Sequence, residues 1–181
     1  NNFTVNVRSG IPSINLNTPT ATQYINRLIN INFSYTPFDA SGLDICRLYG
    51  NFNGSFSINQ TDTSITNNTL NEFNFVNFTS NTNYSWNVWC NNTVGNSAFA
   101  VNNRTFTLDN IYPSVNISEI ITTQGSQTIS FNVTANDTNI NTCKYTIFNS
   151  TSGIDGLNNN VSVTCNFNST QATVASFGIY N

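Results

Sequence analysis

The strongest constraint on the fold is the segment from Asn83 to Asn96, NYSWNVWCNNTVGN, in which large apolar side chains alternate with smaller polar ones. The apolar side chains at every second position are Tyr84, Trp86, Val88 and Cys90. A period of two with one apolar side predicts a half-buried β-strand that turns those four residues toward a core. Gly95 is a turn signal that ends the strand.

Short strands of the same period precede and follow this one, and no segment shows a helical period. The predicted strands lie around Phe3–Val7, Ile11–Leu16, Ile29–Tyr35, Cys46–Leu48, Phe56–Ile58, Leu70–Phe78 and Thr105–Leu108. The alternation slips between Leu70 and Phe78. We place Phe73 and Phe75 on one face of the strand, and Val76 and Phe78 on the opposite face. A β-bulge or a tight bend would explain the slip. Short strands separated by turns predict an all-β sandwich fold.

The sequence also repeats itself. INFSYTPFDASGLDICRLYGNFNGS, which begins at Ile31, aligns with ISFNVTANDTNINTCKYTIFNSTSG, which begins at Ile129, and Cys46 then matches Cys143. The offset of about 97 residues is the size of one β-sandwich domain. Asp109–Pro113 is predicted to be a linker. The chain is therefore predicted to contain two tandem domains, at residues 1–109 and 110–181.

The second predicted domain is short, because no counterpart of the aromatic strand follows Cys143. It is expected to lack its last strands, and two explanations are open. The chain is a piece of a longer protein, or another copy supplies the missing strand. Residues 1–10, in which Phe3, Val5 and Val7 share one side, have the form of such a donor strand. Head-to-tail donation between copies would generate an open filament.

Four cysteines allow three pairings, and pairing within the domains gives Cys46–Cys90 and Cys143–Cys165. A zinc site would require closely spaced Cys or His partners, and the sequence offers neither. Disulfides are therefore expected, and they place the protein in an oxidising, extracellular environment. The chain contains no Met, which we interpret as removal of a signal peptide.

Composition excludes several function classes. Only five residues are Lys or Arg, so no basic patch is available and nucleic-acid binding is excluded. No apolar run approaches the roughly 18 residues of a membrane span. The chain has no His, and its carboxylates are scattered, so we expect no enzyme activity. The surface polarity comes from amides and hydroxyls, which suits harsh surroundings or reflects AT-rich codon usage.

N-linked glycans are the expected modification, since the chain has fifteen Asn-x-Ser/Thr sequons. They begin at Asn2, Asn32, Asn53, Asn59, Asn67, Asn77, Asn83, Asn91, Asn103, Asn116, Asn132, Asn136, Asn149, Asn160 and Asn168. In several, the middle residue is apolar, which on a strand turns it inward and the Asn outward. We expect no cofactor and no metal. Asp39, Asp44 or Asp137 could bind Ca²⁺, although loop Asp residues more often form turns.

Four stretches resemble a known family: Cys46-Arg-Leu-Tyr49, Tyr84-Ser-Trp-Asn-Val-Trp-Cys90, Asn92-Thr-Val-Gly-Asn96 and Arg104-Thr-Phe-Thr-Leu-Asp109. They are similar to the tandem immunoglobulin-like domains of archaeal cell-surface proteins. The family usually has Asp where this chain has Asn92, and its pattern covers the second domain only through Cys143. The resemblance implies a secreted, glycosylated, repeat-built surface protein.

These observations lead to one functional expectation and one alternative. The chain is expected to be a structural subunit of an extracellular cell-surface assembly, such as a filament, a pilus-like thread or a surface layer. Its partners would be copies of itself, joined head to tail by donor-strand addition. The alternative is an adhesin or receptor-binding module of a larger surface protein, with Trp89 as a contact residue unless that side chain packs against a loop.

Overall fold

A computed structural model describes residues 10–122, 127–148, 158–165 and 167–173, and the regular structure in these residues is entirely β-strand. The chain divides into two compact units, Asn1–Asn110 and Ile111–Asn181. The division falls inside the Asp109–Pro113 segment. We describe each unit by itself below, as the first unit and the second unit.

The first unit is a sandwich of two sheets. Its strands are β1 (Ser13–Thr18), β2 (Gln23–Ile25), β3 (Ile31–Phe38), β4 (Leu43–Gly50), β5 (Ser57–Asp62), β6 (Asn71–Val76), β7 (Asn83–Asn92), β8 (Ser97–Phe99) and β9 (Arg104–Leu108). One sheet has the order β1-β3-β6, and the other has the order β2-β9-β7-β4-β5, with β8 also paired to β7. With β1, β3 and β6 as strands A, B and E, and β4, β7 and β9 as C, F and G, this order is immunoglobulin-like and confirms the predicted fold class.

The core of the first unit forms around β7, as the alternation predicts. Trp86 is fully buried, and its ring lies 5.1 Å from the ring of Phe33 on the opposite sheet. Cys46 and Cys90 are directly paired across β4 and β7, and a disulfide joins them. Side chains from both sheets therefore meet in one aromatic cluster. The disulfide belongs to the same buried cluster and joins two neighbouring strands of one sheet.

The predicted slip near Phe75 is a β-bulge. Phe73 pairs with Phe33 of β3, and Val76 pairs with Ile31. The two residues between them on β6 therefore lie opposite Asn32 alone. Phe73, Val76 and Phe78 are all buried, whereas Phe75 points outward with 70% of its surface exposed. The prediction that Phe73 and Phe75 share a face is wrong, because the bulge turns the chain by one residue between them.

Two strand ends differ from the sequence prediction. Strand β3 continues through Pro37, beyond the predicted end at Tyr35. Strand β6 pairs with β3 only as far as Tyr35, so Pro37 lies where β3 has a neighbour on one side only. Proline is tolerated there because its missing N–H is not needed for a second ladder. Strand β5 likewise extends to Asp62, beyond the predicted end at Ile58.

The second unit repeats part of the first. Its strands are β10 (Ser114–Thr122), β11 (Thr128–Asn136), β12 (Cys143–Tyr145), β13 (Val161–Val163) and β14 (Phe167–Thr173). The sheet β10-β11-β14 corresponds to β1-β3-β6, and the pair β12-β13 corresponds to β4-β5. The described residues of this unit contain no counterpart of β7 or β9. Its disulfide joins Cys143 on β12 to Cys165, which follows β13.

One buried polar pair in the first unit links the two sheets. The hydroxyl of Tyr35 donates a hydrogen bond to Oδ2 of Asp62 at 2.8 Å, and the Tyr35 side chain is fully buried. Burial is the main cause that raises the pKa of Tyr35 far above its ordinary range, and the hydrogen bond and charge of Asp62 raise it further. The phenol therefore stays protonated in the folded chain at pH values at which it ionises in the unfolded chain.

We expect this pair to limit stability at alkaline pH. A raised pKa in the folded state gives stability that is complete below about pH 10, the pKa of an unfolded tyrosine, and is lost as pH rises further. Tyr35→Phe should reduce the alkaline loss in the free energy of unfolding, measured from urea unfolding curves at increasing pH. At neutral pH it should lower the free energy of unfolding by about 1 kcal/mol. Tyr24→Phe, at an exposed tyrosine, is the control. An unchanged alkaline loss in Tyr35→Phe would contradict the assignment.

Candidate functional site

The most unusual surface of the second unit is the inner face of β10. Ile117 pairs with Val133 of β11, and Val115 pairs with Ala135. Directly paired residues share a face, and Ala135 lies on the buried side of β11, as does Phe131. Nevertheless, 65% of Val115 and 59% of Ile117 are exposed. Two apolar side chains therefore point to the core side of the sheet without being covered.

The first unit shows what covers these positions. Leu16 of β1 pairs with Tyr35, as Ile117 pairs with Val133, and the repeat aligns Tyr35 with Val133. Only 4% of Leu16 is exposed, and it belongs to the same buried cluster as Trp86 of β7. Strand β1 also lies against β7. The cover over β1 is therefore strand β7, whose counterpart does not occur in the described part of the second unit.

Strand β12 completes this surface. Its counterpart β4 pairs with β5 on one side and with β7 on the other. Strand β12 pairs with β13, and no other described strand pairs with it. An unpaired strand edge and an uncovered apolar face are features by which a sheet accepts an added strand. Among the described strands of the first unit, β7 alone both pairs with β4 and covers β1. We call this surface, made of Val115, Ile117 and β12, the open face.

The other half of the predicted assembly is the donor strand. The donor-strand residues Phe3, Val5 and Val7 lie outside the described residues. The open face has the features of a strand acceptor, and the donor strand stays a prediction. The sequence indicated the missing strands through the repeat. It did not indicate Val115 or Ile117, because their exposure depends on what β7 covers in the first unit.

A second surface lies on the outer side of the six-stranded sheet of the first unit. The guanidinium carbon of Arg47 lies 5.3 Å from the ring centroid of Trp89. Tyr49 stacks on Phe56 and meets Phe99 edge to face, with centroids 6.1 and 4.9 Å apart. We call these five residues the outer aromatic surface. Trp89 is half-buried within it, and its direct cross-strand neighbours are Arg47 and Phe99.

Asp39 and Asn92, which the sequence singled out separately, form one buried cluster. Nδ2 of Asn92 donates to Oδ2 of Asp39 at 3.1 Å, and Oδ1 of Asn92 accepts from the backbone N–H of Asn96. The other carboxylate oxygen of Asp39 accepts from the N–H of Ser41. An amide suits residue 92 because it donates and accepts. A carboxylate there would face Asp39 with like charge.

Metal ligands and membrane spans were also predicted to be absent. The described residues contain no group of three or more His, Cys, Asp or Glu side chains placed to hold a metal ion. Asp137 accepts a hydrogen bond from the backbone N–H of Asn139, which is the turn geometry that the sequence allowed. Asp44 accepts from Nδ2 of Asn91. Among the same residues, no helix is long and apolar enough to cross a membrane.

The sequon asparagines are accessible wherever their side chains are described. Nine are exposed: Asn53, Asn59, Asn67, Asn77, Asn83, Asn103, Asn116, Asn136 and Asn160. Three are half-buried: Asn32, Asn91 and Asn132. The side chains of Asn2, Asn149 and Asn168 lie outside the described set. The buried asparagines are Asn71, Asn87, Asn92 and Asn158, and none of them begins a sequon.

Comparison with known proteins gives no family. No family model matches the chain, and no curated protein is similar to it. A solved structure of the fibronectin(III)-like modules of CbhA from Clostridium thermocellum matches 90% of this chain and 79% of its own, with 10% identity and a TM-score of 0.47. Dimeric latent PorU from Porphyromonas gingivalis matches 94% of this chain and 16% of its own, with 13% identity and a TM-score of 0.38. The assignment to immunoglobulin-like sandwiches therefore rests on the strand order.

Proposed function

We propose that the chain is a structural, non-enzymatic subunit of an extracellular cell-surface assembly. Copies associate head to tail when the N-terminal segment of one copy adds to the open face of the next. The observation that carries the proposal is the exposure of Ile117, 59%, against 4% for Leu16 at the equivalent position. An apolar strand laid over the open face would bury Ile117 and pair with β12 at the same time.

The extracellular location has its own support. Two disulfides stabilise the chain, and disulfides persist in oxidising compartments. Accessible sequons and a surface with few charges agree with a secreted glycoprotein. An archaeal source stays a prediction from the resemblance, and the type of assembly, whether filament, thread or surface layer, stays a prediction from the sequence.

The donor half is tested by shortening the chain. Deletion of residues 1–9 should abolish polymers and leave a folded monomer, because the deleted residues would serve only the neighbouring copy. Val5→Asp should have the same effect, since it puts a charge on the apolar side of the donor. Asn6→Asp, on the other side, is the matched control. Light scattering gives the mass of the particles, and circular dichroism reports folding.

The acceptor half gives a sharper prediction. Ile117→Asp should prevent assembly with little effect on the stability of the monomer, because the side chain is already 59% exposed in the isolated chain. Asn116→Asp, one residue away on the opposite face, should leave assembly intact. Analytical ultracentrifugation of both variants at several concentrations measures the difference.

Two results would overturn this proposal. One is a purified full chain that stays monomeric at every concentration. The other is polymers that form equally well in the Ile117→Asp variant or without residues 1–9.

The outer aromatic surface supports a second candidate function. Exposed aromatic rings with an arginine among them are enriched at protein interfaces, so an adhesin or receptor-binding module remains the alternative. The two functions differ in one observable. A structural subunit self-associates without any ligand, whereas an adhesin binds a target as a monomer and loses that binding on Trp89→Ala.

A further inference from the structure

Phe75 is the most unusual apolar residue of the first unit. It lies in the bulge of β6 with a φ of 62°, and 70% of its side chain is exposed. A non-glycine residue in this left-handed region costs about 1 kcal/mol or more. Among the described residues, no aromatic ring stacks on Phe75. A strained backbone conformation therefore keeps a large apolar ring exposed to solvent.

Two sequon asparagines flank this ring. Asn77 follows two residues later, and because Val76 between them is buried, Phe75 and Asn77 both point outward. Asn32, on the neighbouring strand, accepts a hydrogen bond from the N–H of Phe75 at 3.3 Å. Oδ1 of Asn77 accepts from the N–H of Asn30 at 2.9 Å. That bond fixes the Asn77 amide through its oxygen and leaves Nδ2, the atom that carries an N-glycan, directed away from Asn30.

We propose that Asn77 is glycosylated and that the first sugar of its glycan packs on the ring of Phe75. Residues two apart in a chain have Cα atoms at most about 7 Å apart, a distance that one asparagine side chain and one pyranose ring together can span. The C–H face of a pyranose is apolar and weakly positive, and it complements the negative face of an aromatic ring. The sugar would remove the exposed ring from water. This inference does not depend on the proposed assembly.

The same spacing occurs at Trp89 and Asn91, but there both partners are already engaged. Arg47 lies over the ring of Trp89. The Asn91 amide donates to Asp44 at 3.2 Å and accepts from the N–H of Ile45 at 2.9 Å. At Phe75 and Asn77, no aromatic ring in the described part of the chain contacts the ring face of Phe75, and no group there accepts a hydrogen bond from Nδ2 of Asn77. The comparison therefore assigns the sugar contact to Asn77 rather than to Asn91.

A thermodynamic cycle tests the contact. The full chain is secreted from a eukaryotic cell line that adds N-glycans, and glycopeptide mass spectrometry measures occupancy at each sequon. Thr79→Ala removes the Asn77 glycan but keeps the Asn77 side chain and its bond to Asn30. Phe75→Asn removes the ring and tolerates the positive φ. We expect Thr79→Ala to lower Tm by about 3 °C in the parent chain and by less than about 1 °C in the Phe75→Asn background.

The cycle subtracts any effect of Thr79 itself, because that change is present in both backgrounds. Ser85→Ala, which removes the sequon at exposed Asn83, is the matched control and should give the same Tm change with and without the ring. Three results would overturn the proposal. They are an empty Asn77 among occupied sequons, an equal effect of Thr79→Ala in both backgrounds, and a dimer of the glycosylated chain that disappears on Phe75→Asn, which would assign the ring to a protein contact.

Discussion

Trp86→Ala should lower the free energy of unfolding of the first unit by about 3–5 kcal/mol. The side chain is fully buried, and it contacts the ring of Phe33 and lies in one cluster with Leu48 and Phe106. Truncation would leave a cavity between the two sheets, which the surrounding packed side chains can fill only in part. A domain has only about 5–15 kcal/mol of stability in total, so the variant should unfold at much lower urea concentrations.

The conservative variant separates packing from polarity. Nε1 of Trp86 is buried and has no hydrogen-bond acceptor among the described residues. An unpaired buried donor costs about 1–3 kcal/mol, and Trp86→Phe removes it while it keeps most of the ring. We therefore expect Trp86→Phe to lower the free energy of unfolding much less than Trp86→Ala does, as measured by circular dichroism during unfolding. Equal losses in the two variants would contradict the assignment of most of the Trp86→Ala loss to packing of the ring.

Removal of the Cys46–Cys90 disulfide, by changing both residues to Ala, should cost about 4 kcal/mol. The bridge closes a loop with a sequence separation of 44 residues, so its loss frees a long segment of the unfolded chain. Both cysteines are also fully buried, so two core contacts are lost. Urea unfolding of the double variant, compared with the parent under non-reducing conditions, measures the cost.

The Cys143–Cys165 bridge gives the comparison. Its sequence separation is 22 residues, for which the same model gives about 3.5 kcal/mol. The described buried cluster of the second unit contains only Ile129, Phe131 and Ile147. A loss of this size should therefore unfold the second unit while the first remains folded, as amide hydrogen exchange can show. Simultaneous unfolding of both units would contradict this independence.

The parts of the fold that were predictable are those in which a local pattern decides the structure. The alternation around Trp86 specifies which face of β7 is buried, because every second residue of a strand lies on one side. Strand β2 was missed, since it has three residues and exists through parallel pairing with β9, far along the chain. The bulge was visible as a phase slip. Its outward residue, Phe75, is decided by the register against β3, which no local pattern contains.

The candidate site also has one part that the sequence predicts and another that it does not. The repeat predicted that the second domain lacks its last strands, because the absence of an aromatic strand is visible in the sequence. The open face could not be predicted from the sequence, because Ile117 and Leu16 occupy similar apolar patterns. They differ in whether a strand covers them: β7 covers Leu16, and no described strand covers Ile117. The Asp39–Asn92 pair also joins residues that are far apart in sequence. Its geometry, and not the two residue types, decides that Asn92 supports Asp39.

The different placement of the two disulfides determines how an added strand would be held. In the first unit, Cys90 ties β7 covalently to β4, so that strand cannot leave its neighbour. In the second unit, Cys143 is bonded to Cys165, and its sulfur cannot form a bond with an arriving strand. A strand beside β12 would be retained by hydrogen bonds and apolar contact alone. Denaturants should therefore separate subunits joined in this way without a reducing agent.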